Sequence, residues 1–247
     1  MTAGTARAHP GTVAAVSSDP RGVTRHGQDR KAELLAIAER LFVERGYAET
    51  RMVDIAKEAG VTKSLVYWYF DTKDALFHEI AVDMRRRLRR AQSAAIDGVD
   101  DPLARLYLGT ATSVRFIAEH HRLYGLITAL LPGDRRLRAT QSQSRRVLAD
   151  DAAALVAEGQ DRGLVHPGED PAALAHANAG VVTNFVLLYG DSLHGPDAAT
   201  IEVEDLAHAA ARYVVRAVAC DRRRAEAVVA ACGDERRLRL GPTSPGP

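Results

Sequence analysis

Between Thr50 and Lys73 the chain reads TRMVDIAKEAGVTKSLVYWYFDTK, and its polar and aromatic side chains are the ones with chemistry to offer. Thr62, Lys63 and Ser64 stand together at the start of a short helical pattern. They present two hydroxyls that donate or accept, and one ammonium that donates to a guanine edge or a phosphate. Tyr67, Trp68 and Tyr69 follow within one turn. Thr50 and Arg51 precede an earlier helical pattern, with Thr50 expected to cap it. Lys73 stands at the entry to a later helix, where free amide groups also favour a phosphate. Hydroxyls, cations and aromatic rings at this density suit the edges and backbone of a nucleic-acid duplex. Val66, Phe70 and part of Trp68 read instead as core.

The elements that must position these groups are two short helices and a tight turn. Met52, Ile55, Ala56 and Ala59 are apolar at helical spacing, with Asp54, Lys57 and Glu58 on the other side. The pattern stops at Ala59-Gly60-Val61, where glycine can take the left-handed conformation that ends a helix. Thr62 then caps a second helix, Lys63 to Phe70. Two helices joined by such a turn form a helix-turn-helix. In that unit the first helix braces across the DNA backbone, while the N-terminal residues of the second face base edges in the major groove.

The run from Ala36 to Ile80, which contains AERLFVERGYAETRMVDIAKEAGVTKSLVYWYFDTKDALFHEI, resembles the N-terminal domain of TetR-family transcriptional regulators. The matching features are Gly46-Tyr47, Asp54-Ile55-Ala56, Ala59-Gly60-Val61-Thr62, Tyr67-x-Tyr69-Phe70 and Lys73-x-x-Leu76. Ser64, where many members have glycine or proline, and Arg51, where a second threonine is common, depart from the pattern at positions near the DNA. The resemblance implies an all-α fold: an N-terminal three-helix DNA-binding domain with a helix-turn-helix, followed by an α-helical ligand-binding and dimerisation domain. It also implies a homodimer on a near-palindromic double-stranded DNA operator, a repressor released by a small-molecule effector. Lys63, Ser64, Tyr67 and Tyr69 then face the operator, with Trp68 beside them, while Thr50, Arg51, Thr62 and Lys73 set position through phosphates. A dimer also suits the DNA, since two recognition helices about 34 Å apart read successive major grooves.

The rest of the chain reads as helix throughout. Residues 1–27, rich in glycine, proline and serine and dotted with Arg7, Arg21 and Arg25, read as a disordered tail. Helix one is expected from about Asp29 to Arg45, with Leu34, Ile37, Ala38, Leu41 and Phe42 as its buried stripe. The DNA-binding domain would then occupy 28–76, the effector and dimer domain 77–240, and a second tail 241–247. A long helix from Lys73 toward Ile96 carries Arg85-Arg86-Arg87-Leu88-Arg89-Arg90, whose arginines spread around the circumference as a solvated linker. Asp101-Pro102 opens the next helix, and others are expected over 121–131, 135–162, 171–189 and 202–232. A loop from Gly190 to Asp197 separates the last two. Those two are alanine-rich, which allows close helix approach, and in TetR-like proteins the corresponding helices pair across a two-fold axis.

Phe116, His120, Tyr124, Asn178, Thr183 and Asn184 are polar or aromatic residues on mainly apolar helices. They are the candidates for effector contact in the pocket the resemblance implies. Gly190-Asp191-Ser192-Leu193 with Asp205-Leu206-Ala207-His208 looks like the signatures of GDSL-type esterases, Ser192 as nucleophile and His208 as base. That alternative, a hydrolytic or ligand-binding helical protein with a vestigial DNA module, needs a sheet. The 55 residues after Ser192 read as helix and tail, so no catalytic residues and no enzyme are expected. Adjacent His120 and His121 point about 100° apart on a helix, so no metal site and no cofactor are expected either.

Composition sets the outer bounds. Of 247 residues 46% are apolar and only 5% aromatic, so the core leans on alanine, leucine and valine, as packed helices do. A formal net charge of +1 gives no bulk attraction to nucleic acid, so DNA affinity must come from a local, salt-dependent patch. Cys220 and Cys232 read as two thiols on one helix, roughly 18 Å apart and beyond bridging distance. With neither a secretory signal nor a membrane span, the chain is expected to be cytoplasmic, with no membrane partner.

Overall fold

The computed structural model describes residues 25–130, 151–194 and 202–233. Its elements are helices: α1 Arg25–Arg45, α2 Met52–Glu58, α3 Lys63–Tyr69, α4 Lys73–Ile96, α5 Pro102–Glu119, α6 His121–Leu130, α7 over 151–161, α8 Pro171–His194, α9 Val203–Val218 and α10 Arg222–Gly233. Among the described residues the sole extended pairing is a single bridge between Val165 and Ala219. The fold is all-helical.

Local signals start most of these helices. Thr62 Oγ1 accepts from Leu65 N at 3.3 Å and Thr72 Oγ1 from Ala75 N at 3.0 Å. The Asp101 carboxylate accepts from Leu103 N and Ala104 N ahead of Pro102, and Asp170 does the same for Ala172 N and Ala173 N. Each satisfies amide groups that a helix start leaves without a partner.

Two hydrophobic cores organise the described residues. The N-terminal core gathers Leu34, Ala38, Leu41 and Phe42 of α1, Met52, Ile55 and Ala56 of α2, Val66 and Phe70, and Leu76, Phe77, Ile80, Ala81 and Met84 of α4. It also takes in Leu123 and Ile127 of α6. The C-terminal core is centred on α5, whose Leu103, Tyr107, Ala111 and Val114 pack among α8, α9 and α10. Phe116 and Tyr124 touch both cores. Helix α6 therefore ties the two together.

The structure departs from the sequence expectations at four places. Helix α1 begins at Arg25, inside the stretch 1–27 expected as tail, because no proline interrupts it and the Arg30–Glu33 pair one turn in supports it. Helix α3 ends at Tyr69 rather than Phe70, which takes an extended conformation as the cap and drops its ring into the core. Helix α8 continues through His194, so Gly190-Asp191-Ser192-Leu193 is helical rather than a loop.

The expected single helix 202–232 is two helices broken at Ala219–Asp221. Segment 164–166 docks into the break: His166 N donates to Val218 O and Cys220 N to Leu164 O, both at 3.0 Å. Val165 is fully buried there, against Gly159, where an added Cβ would stand 2.5 Å from the Val165 side chain. Asp221 then caps α10 through Arg223 N. The two cysteines lie on either side of this arrangement: Cys220 exposed in the break, Cys232 buried on α10. The expected stop at Pro132-Gly133, the start of the 135–162 helix, most of the N-terminal tail and the tail 241–247 lie outside the described residues.

Candidate nucleic-acid interface

The helix-turn-helix is built from the inside out. Met52, Ile55 and Ala56 of α2 and Val66 of α3 are buried in the N-terminal core, which fixes the faces the two helices turn outward. Between them Gly60 adopts φ +63°, a conformation costly for residues with a Cβ, and Val61 N returns to Ala56 O at 3.0 Å. Thr62, Lys63, Ser64, Tyr67 and Trp68 are all exposed on the outer side of α3. Tyr67 keeps 40% and Trp68 53% of its surface open.

These outward groups are ordered by one another. The Trp68 ring meets the Tyr69 ring edge-on at 4.6 Å between centroids, and Tyr69 is half-buried against the core. Lys63 Nζ lies 5.4 Å from the Tyr67 ring centroid, a cation–π distance. Ser64 Oγ donates to Thr62 Oγ1 at 3.2 Å. At the start of α2 it is Arg51, not Thr50, that occupies the cap position. The Asp54 carboxylate reaches back to accept from Arg51 N at 3.0 Å and from its guanidinium at 3.3 and 3.4 Å. Those bonds from the Arg51 side chain and backbone hold the Asp54 carboxyl below the usual carboxylate range.

Thr50 is the correction among the sequence-expected residues. It is 0% exposed, and its hydroxyl points inward, 2.9 Å from Gly46 O and 3.2 Å from Leu41 O. It fastens the loop after α1 instead of capping α2, and no face of it is open to a phosphate. Lys73 is engaged in a similar way. Its Nζ donates to Tyr47 O at 2.8 Å and Ala48 O at 3.4 Å and sits 4.3 Å from the Tyr47 ring centroid. The Tyr47 hydroxyl in turn donates to the Asp74 carboxylate. Val53, exposed in the first turn of α2, escaped the sequence reading. Its place opposite buried Met52, Ile55 and Ala56 was the available signal.

Residues 34–80 match the family model described as bacterial regulatory proteins, tetR family. This stretch is a TetR-type DNA-binding domain. An uncharacterised HTH-type transcriptional regulator of Mycobacterium tuberculosis is 34% identical over 99 residues, which are 40% of this chain and 49% of that one. TtgR of Pseudomonas putida is 41% identical over 56 residues, 23% of this chain and 27% of the relative. The chain thus spans about half the length, or less, of these curated relatives. Among solved structures, NalD, the secondary repressor of the MexAB-OprM multidrug efflux pump in Pseudomonas aeruginosa, shares the fold. Its TM-score is 0.60 at 22% identity, over 80% of this chain and all of that one.

Outside this TetR-type domain the six effector candidates fall into separate groups. The Tyr124 hydroxyl and Thr183 Oγ1 are 2.9 Å apart and join α6 to α8. The Phe116 ring stacks on His120 at 4.3 Å, and His120 Nδ1 lies 2.8 Å from Phe116 O at the end of α5. Asn178 pairs with Thr110 on the α5–α8 contact at 3.3 to 3.4 Å. Asn184 is exposed on α8.

Ser192 lies within a helix, without the turn a serine nucleophile requires. His208, the other half of the esterase signature, has its Nδ1 2.8 Å from the Tyr107 hydroxyl, while its Nε2 lies 3.7 Å from Glu204. Arg115 grips Glu204 through three hydrogen bonds of 2.6 to 2.9 Å, which hold its carboxyl below the usual range. The resulting chain, Arg115–Glu204–His208–Tyr107, locks α5 to α9. Among the described residues no group of three or more histidine, cysteine, aspartate or glutamate side chains gathers as a metal site, and no helix is long and apolar enough to cross a membrane.

Proposed function

We propose that this TetR-family protein is a cytoplasmic transcriptional repressor that binds a palindromic DNA operator as a homodimer and leaves it when a small molecule binds. The observation that carries this reading is the outward face of α3, where Lys63, Ser64, Tyr67 and Trp68 stay exposed on a helix whose inner face is locked into the core. Arg51 and Thr62 sit at the two helix starts, where they would meet phosphates. Lys73 would act by holding the loop after α1, and Thr50 by fastening it from inside. NalD, a structural neighbour, carries the description of a repressor.

Small residues on α8 and α9 support the dimer. Ala173, Ala177 and Gly180 of α8 are exposed, and α9 bears an open groove lined by Ala209, Arg212, Tyr213, Arg216 and Ala217, with Tyr213 60% exposed. An uncovered aromatic between alanines is a surface a second helix can bury. The effector would act where Phe116, His120, Tyr124 and Thr183 meet the junction of the cores. Because Leu123 and Ile127 of α6 belong to the DNA-domain core, a shift of α6 would move the recognition helices. A coupling of about 1–3 kcal/mol is typical of such linkage.

Selection from random duplex DNA with the purified protein tests the reading: one palindromic motif is the expected result. The Lys63→Ala, Tyr67→Ala double variant should keep its helicity and lose that motif. Recovery of sequence-blind, salt-sensitive binding alone would overturn the proposal.

A further inference from the structure

The reading face of α3 is unusual in what it lacks. Its seven residues, KSLVYWY, contain no arginine, asparagine or glutamine, so Lys63 is the one member of the usual set of guanine- and adenine-edge readers on the helix. The polar groups present already have partners. Lys63 leans over Tyr67, Ser64 donates to Thr62, and Thr62 Oγ1 accepts from the helix itself. Arg51 is gripped by Asp54. Beside these exposed but partnered polar groups, the largest open side chains are aromatic or apolar. Four large apolar or aromatic side chains stay exposed among the described residues, and three of them, Val53, Tyr67 and Trp68, lie in the helix-turn-helix. Trp68 is braced by Tyr69, so its ring is presented in one orientation instead of collapsing onto the surface.

In the major groove one base feature matches such a surface: the C5 methyl group of thymine, which is read by apolar contact. We propose that this protein recognises its operator chiefly through thymine methyl groups, contacted by Trp68 and Tyr67 with Val53 adding apolar surface at the start of α2. Lys63 contributes attraction to the duplex while polar base readout is secondary. This rests on the operator-binding reading above.

The test uses the full chain and the duplex recovered by selection. Each thymine of one half-site is replaced in turn by deoxyuridine, which removes the methyl and leaves the Watson–Crick and groove hydrogen-bonding groups unchanged. At least one replacement should weaken binding by about fourfold, the effect of burying one methyl-sized apolar group. The symmetric pair of replacements should weaken it by roughly 15-fold. Trp68→Ala should bind more weakly and lose the uracil sensitivity. Trp68→Phe, with a ring still in place, should retain part of it, and unfolding curves of both variants check that the domain is intact. Equal binding of thymine and uracil duplexes by the unmodified protein overturns this inference but leaves operator binding standing. A selection that returns no motif overturns both.

Discussion

Replacing Thr50 by valine separates a structural threonine from a DNA-contacting one. The substitution keeps the branched Cβ and nearly the same volume, so the fully buried site stays filled, and it removes one hydroxyl. That hydroxyl serves Gly46 O at 2.9 Å and lies 3.2 Å from Leu41 O. Valine leaves Gly46 O without this donor in a buried setting, which costs about 1–3 kcal/mol. With a central value of about 2 kcal/mol, the unfolding midpoint should fall by roughly 4–8 °C for a chain of this size. Scans must use equal protein concentrations, because a dimer's midpoint depends on concentration. Thr50→Ser, which keeps the donor and loses only a methyl, should cost about half as much. Well below the midpoint, Thr50→Val should bind the selected duplex within about twofold of the unmodified protein, against the 1–3 kcal/mol of a stability loss that leaves the face intact. An unchanged midpoint together with a large loss of DNA affinity would refute the argument, because it would mean that the hydroxyl acts on phosphate.

Lys73→Met should destabilise the N-terminal domain by about 1–3 kcal/mol in urea unfolding, since two backbone carbonyls lose a charged donor and Tyr47 loses its cation. A thiol reagent at pH 8 should label Cys220 and spare Cys232 until the chain unfolds, as mass spectrometry of digested protein would read. Burial, and then the charge of Asp101, push the Cys232 thiol up to about 11. Because that thiol ionises more readily once unfolded, stability should fall as pH rises from about 9 toward about 11, and Cys232→Ser should flatten the slope. Glu204, whose carboxyl is held low by Arg115, contributes stability that is present above the ordinary carboxylate range and lost as pH falls through its lowered value. Glu204→Gln should therefore be less stable at neutral pH and lose that part of the acid dependence in a pH series of thermal scans.

Signals short in range were legible in the chain. The run Met52, Ile55, Ala56 with Gly60 and Thr62 carries its own buried face, stop and second cap, so the body of α2, the turn and the start of α3 appear where the pattern places them. Asp101-Pro102 and Asp170-Pro171 announce α5 and α8 for the same reason: a cap acts within three residues of itself. The break at Ala219–Asp221 had no such marker. Alanine, cysteine and aspartate continue a helix as far as propensity goes, and only the docking of 164–166, more than fifty residues away in sequence, ends α9 there. Gly190 misled in the opposite sense. A glycine followed by aspartate and serine reads as a loop, yet α8 runs through it, since a glycine inside a helix costs only about 1 kcal/mol relative to alanine.

The sequence by itself determined that the chain is helical, that it carries a helix-turn-helix and that Lys63, Ser64, Tyr67 and Tyr69, with Trp68 beside them, are its candidates for reading DNA, because periodicity and caps are local properties. The tertiary structure decided which of the polar residues are free to reach anything. Thr50 and Lys73 have the right types for phosphate contact, but their donors are turned onto the loop after α1 by the packing of α1 against α4. Trp68 had two readings in sequence, core or surface. It is exposed because Val66 and Phe70, each two residues from it and so on the opposite side, already fill the core beneath α3. A side chain's chemistry is written in its type, whereas its availability depends on which carbonyls, rings and carboxylates the fold sets beside it.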